Sequence, residues 1–194
     1  LQCNLRGDSM AITELKVHNI SEYLEKIISL KTGHDKLWFR GHASNAYTLQ
    51  PTVYRTPYTW KDEISLLHQF KARGARFLQV QPSNNIEWLF IMQHHATPTR
   101  LLDWSENAMV ALAFATQFHN DSHTGHDAIV WCLNPILLNS HIRFPEYDSE
   151  PIPNICDNNE LQTMFESPRQ DYPVAIIGPQ NTDRIIAQRG VFTL

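Results

Sequence analysis

The chain has 194 residues, and 42% of them are hydrophobic, a length and composition that fit one domain with an ordinary core. Its formal net charge of −4 at pH 7 excludes the overall basic balance typical of nucleic-acid-binding domains. A membrane-spanning helix needs an apolar run of about 18 residues, and the sequence contains no run close to that length, so no membrane contact is expected. Three cysteines without CxxC spacing favour a reducing, cytoplasmic setting.

The two ends differ from the rest of the sequence. Residues 1–9 show no hydrophobic periodicity and are interpreted as a leader, so the domain is expected over residues 10–194. At the other end, the segment from Gly190 to Leu194 resembles the opening of a strand. We therefore expect the natural protein, and part of any site, to continue past Leu194.

Residues 19–30 carry a clear helix pattern. Asn19 and Glu22 have the spacing of a capping box, and Gly33 is expected to end the helix. Apolar residues recur at helical spacing on one face, which predicts a buried side. That face consists of Ile20, Leu24, Ile27 and Ile28.

The remaining elements are predicted by the same rules of periodicity and punctuation. Thr59 and Asp62 resemble the cap of a long helix, and Pro98 forces another helix to stop before Thr97. Because helices and strands do not alternate regularly, the fold class is expected to be α+β in a single domain, with most helices in the first half. The predicted helices cover residues 59–78, 83–95, 107–119, 159–166 and 183–188, the strands cover 36–40, 128–133 and 174–177, the loop-rich part covers 134–150, and Gly190 is the left-handed cap after the last helix.

The stretch Gln93-His94-His95-Ala96-Thr97-Pro98-Thr99-Arg100-Leu101-Leu102-Asp103-Trp104-Ser105 is unusually polar for a segment between two apolar helices. Buried polar groups must be paired or they cost stability. The stretch is therefore either a satisfied polar network or a site. Asp103 is also a candidate cap of the following helix, as are Ser105 and Asn107, and His95 lies at a helix end where a histidine interacts well with the helix dipole.

Two shorter segments contain further candidates. In Phe39-Arg40-Gly41-His42, an arginine at a strand end can aim its planar fork at a phosphate or carboxylate, and the glycine permits close approach of a ligand. A structural salt bridge is the alternative. The second segment, residues 183–192, contains Arg184 and Gln188 and is otherwise a simple helix end.

His119, His123 and His126 match no zinc pattern, so a solvated loop and no metal are expected there.

Taken together, these segments resemble the FRG domain family, named for its Phe-Arg-Gly motif. The resemblance rests on Phe39-Arg40-Gly41-His42, on residues 49–55, on residues 93–105 with Ala111 to Ala115, and on Arg184 to Phe192. One departure is Ala96, where the family usually carries glycine, and a slightly different turn is expected. FRG domains occur in bacteria and phages, some of them near defence systems, and are mostly of unknown function.

The layout is similar to that of ADP-ribosyltransferases, which implies a small split β-sheet and NAD as substrate. In that superfamily an arginine or histidine ends the first strand, a polar segment precedes a helix, and a late strand carries a catalytic glutamate. Here Gln188 stands in the late motif, so the glutamate is either absent or lies beyond Leu194. The implied catalytic residues are His42, His95 and Gln188, and the implied NAD-binding residues are Arg40, Gly41, Thr99, Arg100, Asp103, Trp104 and Arg184.

Three functions remain open at this point. The first is an ADP-ribosyltransferase-like or NAD-glycohydrolase-like enzyme, a phage-defence or toxin-like effector with a protein or nucleic-acid acceptor. The second is a non-catalytic module that recognises a nucleotide or nucleic acid through Arg40, Arg55, Arg100 and Arg184. A metal-dependent nuclease using His94, His95 and Asp103 has less support, because no second carboxylate stands at ligand spacing.

Overall fold

The structure is a computed structural model, and it describes residues 2–4, 12–55, 57–78, 80–117, 125–141, 152–155, 173–179 and 183–194. Helices and strands are mixed, which confirms the α+β class. Over the described parts of the chain, no helix combines the length and the apolar character needed to cross a membrane. The chain divides into two compact units, the first formed by Leu1–Thr48, Asp103–Ile152 and Gln180–Val191, the second by Leu49–Leu102, Pro153–Pro179 and Phe192–Leu194.

The described helices and strands are numbered in chain order. The strands are β1 (Gln2–Asn4), β2 (Thr13–Glu14), β3 (Trp38–His42), β4 (Leu102–Ser105), β5 (Ile129–Leu133), β6 (Ala175–Ile176) and β7 (Gly190–Thr193). The α-helices are α1 (Ile20–Lys31), α2 (Trp60–Gly74), α3 (Asn85–His94), α4 (Ala108–Gln117), α5 (Pro135–His141) and α6 (Asp183–Gln188).

In the first unit, strand β3 lies between β5 and β4. It pairs antiparallel with β5 from Trp38 opposite Leu133 to His42 opposite Ile129, and antiparallel with β4 at Phe39. On the far side of β5, strand β1 is parallel to β5 and antiparallel to β2. The core against this sheet consists of Tyr23, Ile27, Leu37, Phe39, Ala108, Ala111, Ala115, Val130 and Cys132.

Helix α1 confirms the predicted cap but not the predicted buried face. The Asn19 side chain accepts a hydrogen bond from the Glu22 backbone N–H at 2.9 Å. The buried side chains are Tyr23 and Ile27, whereas the predicted face residues Ile20, Leu24 and Ile28 are exposed. Tyr23 can be buried because its hydroxyl donates to the Ala108 carbonyl at 2.7 Å, which satisfies its polar end.

Strand β3 and helix α4 approach each other unusually closely at Gly41. A Cβ atom placed on Gly41 would lie 1.9 Å from the Ala111 carbonyl oxygen and 2.7 Å from the Ala115 backbone nitrogen. Real Cβ atoms do not approach backbone this closely. Helix α4 therefore occupies the space beside the Gly41 α-carbon, and this close packing requires a glycine at the position.

The second unit is organised by helices α2 and α3. The capping box of α2 is as predicted, since the Asp62 carboxylate accepts from both the backbone and the hydroxyl of Thr59 at 2.6 and 2.7 Å. These hydrogen bonds lower the pKa of Asp62. Strand β6 pairs antiparallel with the last residues of β7, and the rings of Phe90 and Phe192 meet edge to face with centroids 4.6 Å apart.

Two predicted details are wrong. Helix α5 begins at Pro135, where a loop-rich segment was expected; Asn134 caps it by accepting from the backbone of Ile136 and Leu137 at 3.0 Å. After α6, the left-handed residue is Arg189, with φ 46°, and not Gly190. The helix predicted over residues 159–166 lies outside the described residues.

The turn after α3 contains Ala96, which has φ 55°. This is the left-handed conformation, which costs alanine roughly 1–2 kcal/mol and glycine little. Glycine also makes the unfolded chain more flexible, which offsets part of the gain. Ala96→Gly is therefore expected to increase the free energy of unfolding by about 0.5–1 kcal/mol, measured by urea denaturation.

The matched control for this change is Ala72→Gly, at an exposed position within α2. There the backbone is helical, and glycine is expected to lower the free energy of unfolding by about 1 kcal/mol. The two alanine-to-glycine changes should therefore have opposite signs. Destabilisation by both would contradict the left-handed conformation of Ala96.

Candidate functional site

A cavity of about 170 Å³ lies in the first unit, at the ends of strands β3 and β4. The residues that line it include an arginine, an aspartate, a glutamine and a serine beside aromatic residues, and five of the lining residues were predicted for the site. The lining residues are Phe39, Arg40, Gly41, Asp103, Trp104, Ser105, Val110, Ala111, Phe114 and Gln188.

Arg40 is held in a fixed position at this cavity. Its Nη1 donates to the Asp103 backbone carbonyl at 2.5 Å, and its Nε donates to Nε2 of His42 at 3.0 Å. Both partners belong to strands, since β3 carries His42 and β4 carries Asp103. A guanidinium is planar and always charged, so an orientation fixed at two nitrogens gives it a defined direction.

His42 is buried and contacts Arg40 instead of lining the cavity. Its Nδ1 accepts from the indole N–H of Trp131 at 3.2 Å, and the Tyr47 ring lies edge-on to the imidazole with centroids 6.1 Å apart. Both ring nitrogens therefore face N–H donors, while a neutral imidazole has one acceptor nitrogen and an imidazolium has none. The contact with Nε of Arg40 gives His42 a role in positioning the guanidinium.

Strand β4 is joined to helix α6 by side-chain and backbone hydrogen bonds. The Ser105 hydroxyl donates to the Gln188 carbonyl at 2.6 Å and accepts from the Asn107 backbone at 3.0 Å. The Glu106 backbone N–H donates to the Arg189 carbonyl at 3.1 Å. Gln188 is thereby brought to the cavity beside Ser105, a contact between residues 83 positions apart that local sequence patterns cannot predict.

The cap of helix α4 is Asn107, whose side chain accepts from the Met109 backbone at 2.9 Å. Of the three candidates, the structure thus selects Asn107, and Asp103 is not the cap. Asp103 is exposed and is one of the residues that line the cavity.

Thr99 and Arg100 lie in the second unit, in a buried polar network, and do not line the cavity. The Thr99 hydroxyl donates to the Gln93 side chain at 2.5 Å. The Arg100 backbone N–H and Nε donate to the two carboxylate oxygens of Glu63, at 2.6 and 2.5 Å. Thr99 and Glu63 are fully buried and Arg100 is 7% exposed. Both predicted binding residues therefore stabilise the fold in this structure.

Glu63 is the residue that sequence reasoning missed. Burial raises the pKa of its carboxyl, and the charge and hydrogen bonds of Arg100 act in the opposite direction. The partners are separated by 37 positions, and Glu63 lies in the first turn of α2, where an acidic residue is expected to interact with the helix dipole at the surface. One signal in the sequence was available for Glu63. It lies one helical turn before Leu67, which is buried, so the helical spacing predicts an apolar residue at position 63.

His95 is exposed at the end of α3, in the second unit. Its ring centroid lies 6.0 Å from that of Phe70 and 5.2 Å from that of His94, and it lines an apolar groove of about 540 Å³. The side chain of Arg184 and most of the histidine loop, including His119 and His123, lie outside the described residues. Within the described part of the chain, no group of three metal-ligating side chains is assembled.

Comparison with known proteins finds a family model that matches part of the chain. The model of the FRG domain matches residues 35–124, which include Arg40, the Glu63–Arg100 pair and most of the cavity wall. Over this segment, 90 of its 194 residues, the chain is similar to the FRG domain, in agreement with the resemblance that the sequence motifs predicted. No curated protein and no solved structure matches the chain.

Proposed function

We propose that the cavity at Arg40 binds the nicotinamide half of NAD, and that the protein is an ADP-ribosyltransferase-like enzyme. The observation that carries the proposal is the convergence of Arg40, Asp103, Trp104 and Gln188 on one cavity. These residues come from three segments far apart in the sequence. A fixed guanidinium beside aromatic rings and a few polar groups is typical of pockets for nucleotides.

Each lining group has a role in this chemistry. Arg40 would bind the pyrophosphate or a ribose hydroxyl, and the Trp104 ring would pack on the nicotinamide. When the bond between nicotinamide and ribose breaks, positive charge develops on the ribose. The Asp103 carboxylate would stabilise that charge, because an oriented group at the reacting centre stabilises the transition state most. Gln188 and Ser105 would orient ribose hydroxyls.

The size of the cavity limits what it holds. About 170 Å³ is less than the roughly 300–1,000 Å³ of a complete ligand pocket. The proposal therefore places only the nicotinamide and its ribose inside. A cytoplasmic role in phage defence or as a toxin-like effector is part of the same proposal, and it rests on the family resemblance.

A second function, recognition of a nucleotide without catalysis, is favoured by one observation. The residue from the late segment that lines the cavity is Gln188, and an amide cannot act as a general base. The pocket would then recognise a nucleotide, free or at the end of a nucleic acid, without turnover. Arg40 would be the principal phosphate ligand in that case.

The test is NAD turnover by the full-length protein, followed by mass spectrometry with protein, DNA and RNA acceptors present. Arg40→Ala and Asp103→Asn are each expected to lower nicotinamide release at least about 100-fold, as loss of one transition-state contact typically does. The control Arg76→Ala removes one exposed arginine in the second unit and should leave turnover unchanged. Circular dichroism checks that each variant is folded.

The outcomes separate the two functions. Nicotinamide release that depends on Arg40 and Asp103 supports the enzyme. Binding of NAD that is lost in Arg40→Ala, with no turnover, supports the recognition module. If the protein neither binds nor consumes NAD or other nucleotides in isothermal titration calorimetry, both proposals are overturned.

A further inference from the structure

The second unit contains a groove that is separate from the Arg40 cavity in residues and in chemistry. Helix α2, with the 3₁₀ turn Ala75–Phe77 that continues it, forms one wall, and the end of α3 forms the other. Its volume is about 540 Å³. Phe77 is 72% exposed, so a bulky apolar side chain stands in solvent at the rim of an apolar groove. Such patches mark interaction sites.

The wall on α2 is an elongated stripe. Its members Leu66, Phe70 and Phe77 lie four and seven positions apart, which places them on one helix face. Leu66 and Phe77 are eleven positions apart along the helix and 3₁₀ turn, a length of roughly 17 Å. A straight stripe of this length matches another helix lying alongside, whose apolar residues recur at i, i+3, i+4 and i+7.

The charge around the groove is positive, although the chain as a whole carries a net charge of −4. Arg73 lines the groove and is exposed, and Arg76 lies over the Phe77 ring with its guanidinium carbon 4.5 Å from the centroid. His95 lines the opposite wall. None of the described side chains that line the groove is acidic. A basic rim selects an acidic partner surface.

We propose that this groove docks an acidic amphipathic helix of a partner protein. The apolar face of the partner helix lies on Leu66, Phe70 and Phe77, and its glutamates and aspartates meet Arg73 and Arg76. The proposal does not depend on NAD binding, because it uses none of the residues that line the Arg40 cavity.

The first experiment measures binding of a labelled synthetic peptide by fluorescence anisotropy. The peptide has about 15 residues, leucines at i, i+3, i+4 and i+7, and glutamates on the opposite face. A second peptide replaces every glutamate with lysine. The acidic peptide is expected to bind at least about 10-fold more tightly than the basic one, and added salt should reduce the difference. Equal affinities overturn the proposal.

Protein variants test where the peptide binds. Phe77→Ser and Arg73→Glu are each expected to weaken binding of the acidic peptide at least about 10-fold. The control for Phe77→Ser is Val80→Ser, which changes an apolar residue that is 82% exposed and does not line the groove. The control for Arg73→Glu is Lys61→Glu, which reverses a charge elsewhere on α2. Both should change affinity less than about 2-fold. Comparable losses in the controls overturn the proposal. A dimer in sedimentation that Phe77→Ser dissociates also overturns it, because a second copy would then cover the groove.

Discussion

Replacement of Gly41 by alanine is expected to lower the free energy of unfolding by about 3 kcal/mol or more, which lies at or above the upper end of overpacking effects. The added methyl group would lie 1.9 Å from the Ala111 carbonyl oxygen, and the obstacle is helix backbone, which cannot rotate away. Helix α4 would have to move off strand β3. Urea denaturation followed by tryptophan fluorescence measures the loss.

Hydrogen exchange locates the damage in Gly41→Ala. Backbone amides of α4 and β3 should exchange faster, because these two elements are the ones forced apart. Gly33→Ala is the matched control: a Cβ at Gly33 meets nothing within 4 Å, so its free energy of unfolding should change by less than about 0.5 kcal/mol. A Gly41→Ala protein as stable as Gly33→Ala would contradict the close packing of α4.

The second large effect is expected from Arg100→Met. This change leaves the Glu63 carboxylate buried without its cation, and breaking a buried pair in this way typically costs about 3–5 kcal/mol. Methionine has a similar length and fills much of the same space, so the loss is electrostatic and not a cavity. Urea denaturation at neutral pH measures it, and an unchanged midpoint would contradict the buried pair.

The loss in Arg100→Met should depend on pH. Burial raises the pKa of Glu63, and the charge of Arg100 lowers it. In Arg100→Met this lowering effect is lost, so the pKa of Glu63 rises further. A carboxyl whose pKa is higher in the folded state stabilises the fold below its unfolded pKa, and it loses this contribution as pH rises through the folded pKa. The stability difference between Arg100→Met and the wild type is therefore expected to be smaller at about pH 5 than at about pH 8.

A double variant separates charge from packing at this pair. Glu63→Leu combined with Arg100→Met removes both charges, and such replacements are often tolerated. At residue 100 the backbone N–H loses its carboxylate acceptor, which costs about 1–3 kcal/mol. The double variant should still be more stable than Arg100→Met alone at high pH. The reverse order would show that the carboxylate is solvated.

Local rules of sequence predicted the parts of this fold that depend on neighbouring residues. The caps at Asn19 and Thr59 and the strand containing Cys132 are examples, because each depends on groups a few positions apart. Helix α5 was missed although its signal was local: Asn134 followed by Pro135 is a strong helix start. The Arg-Gly pair in β3 was also found, but the role of Gly41 depended on α4, about seventy residues away.

The errors concern contacts between distant segments. Tyr23 is buried in α1 because a carbonyl of α4 accepts from its hydroxyl, whereas hydropathy alone favours burial of Ile20 and Ile28. Arg100 was predicted at a ligand site because its partner Glu63 lies 37 positions earlier, in helix α2, where no local pattern connects the two. Polar residues between apolar helices predict either a network or a site, and the choice between the two depends on partners that spacing does not reveal.

The pairing of β6 with β7 has a consequence for the order of events during synthesis. In the second unit, β6 needs Phe192 and Thr193 as partners, and Val174 and Leu194 exchange backbone hydrogen bonds at 2.9 Å. In the first unit, strand β3 can pair with β5 only after β5 has been synthesised, about ninety residues later. The pairing of β3 with β5 therefore needs the chain up to Leu133, whereas the pairing of β6 needs the chain up to Leu194. Helices α2 and α3 are thus synthesised long before the strand pair of their own unit can form.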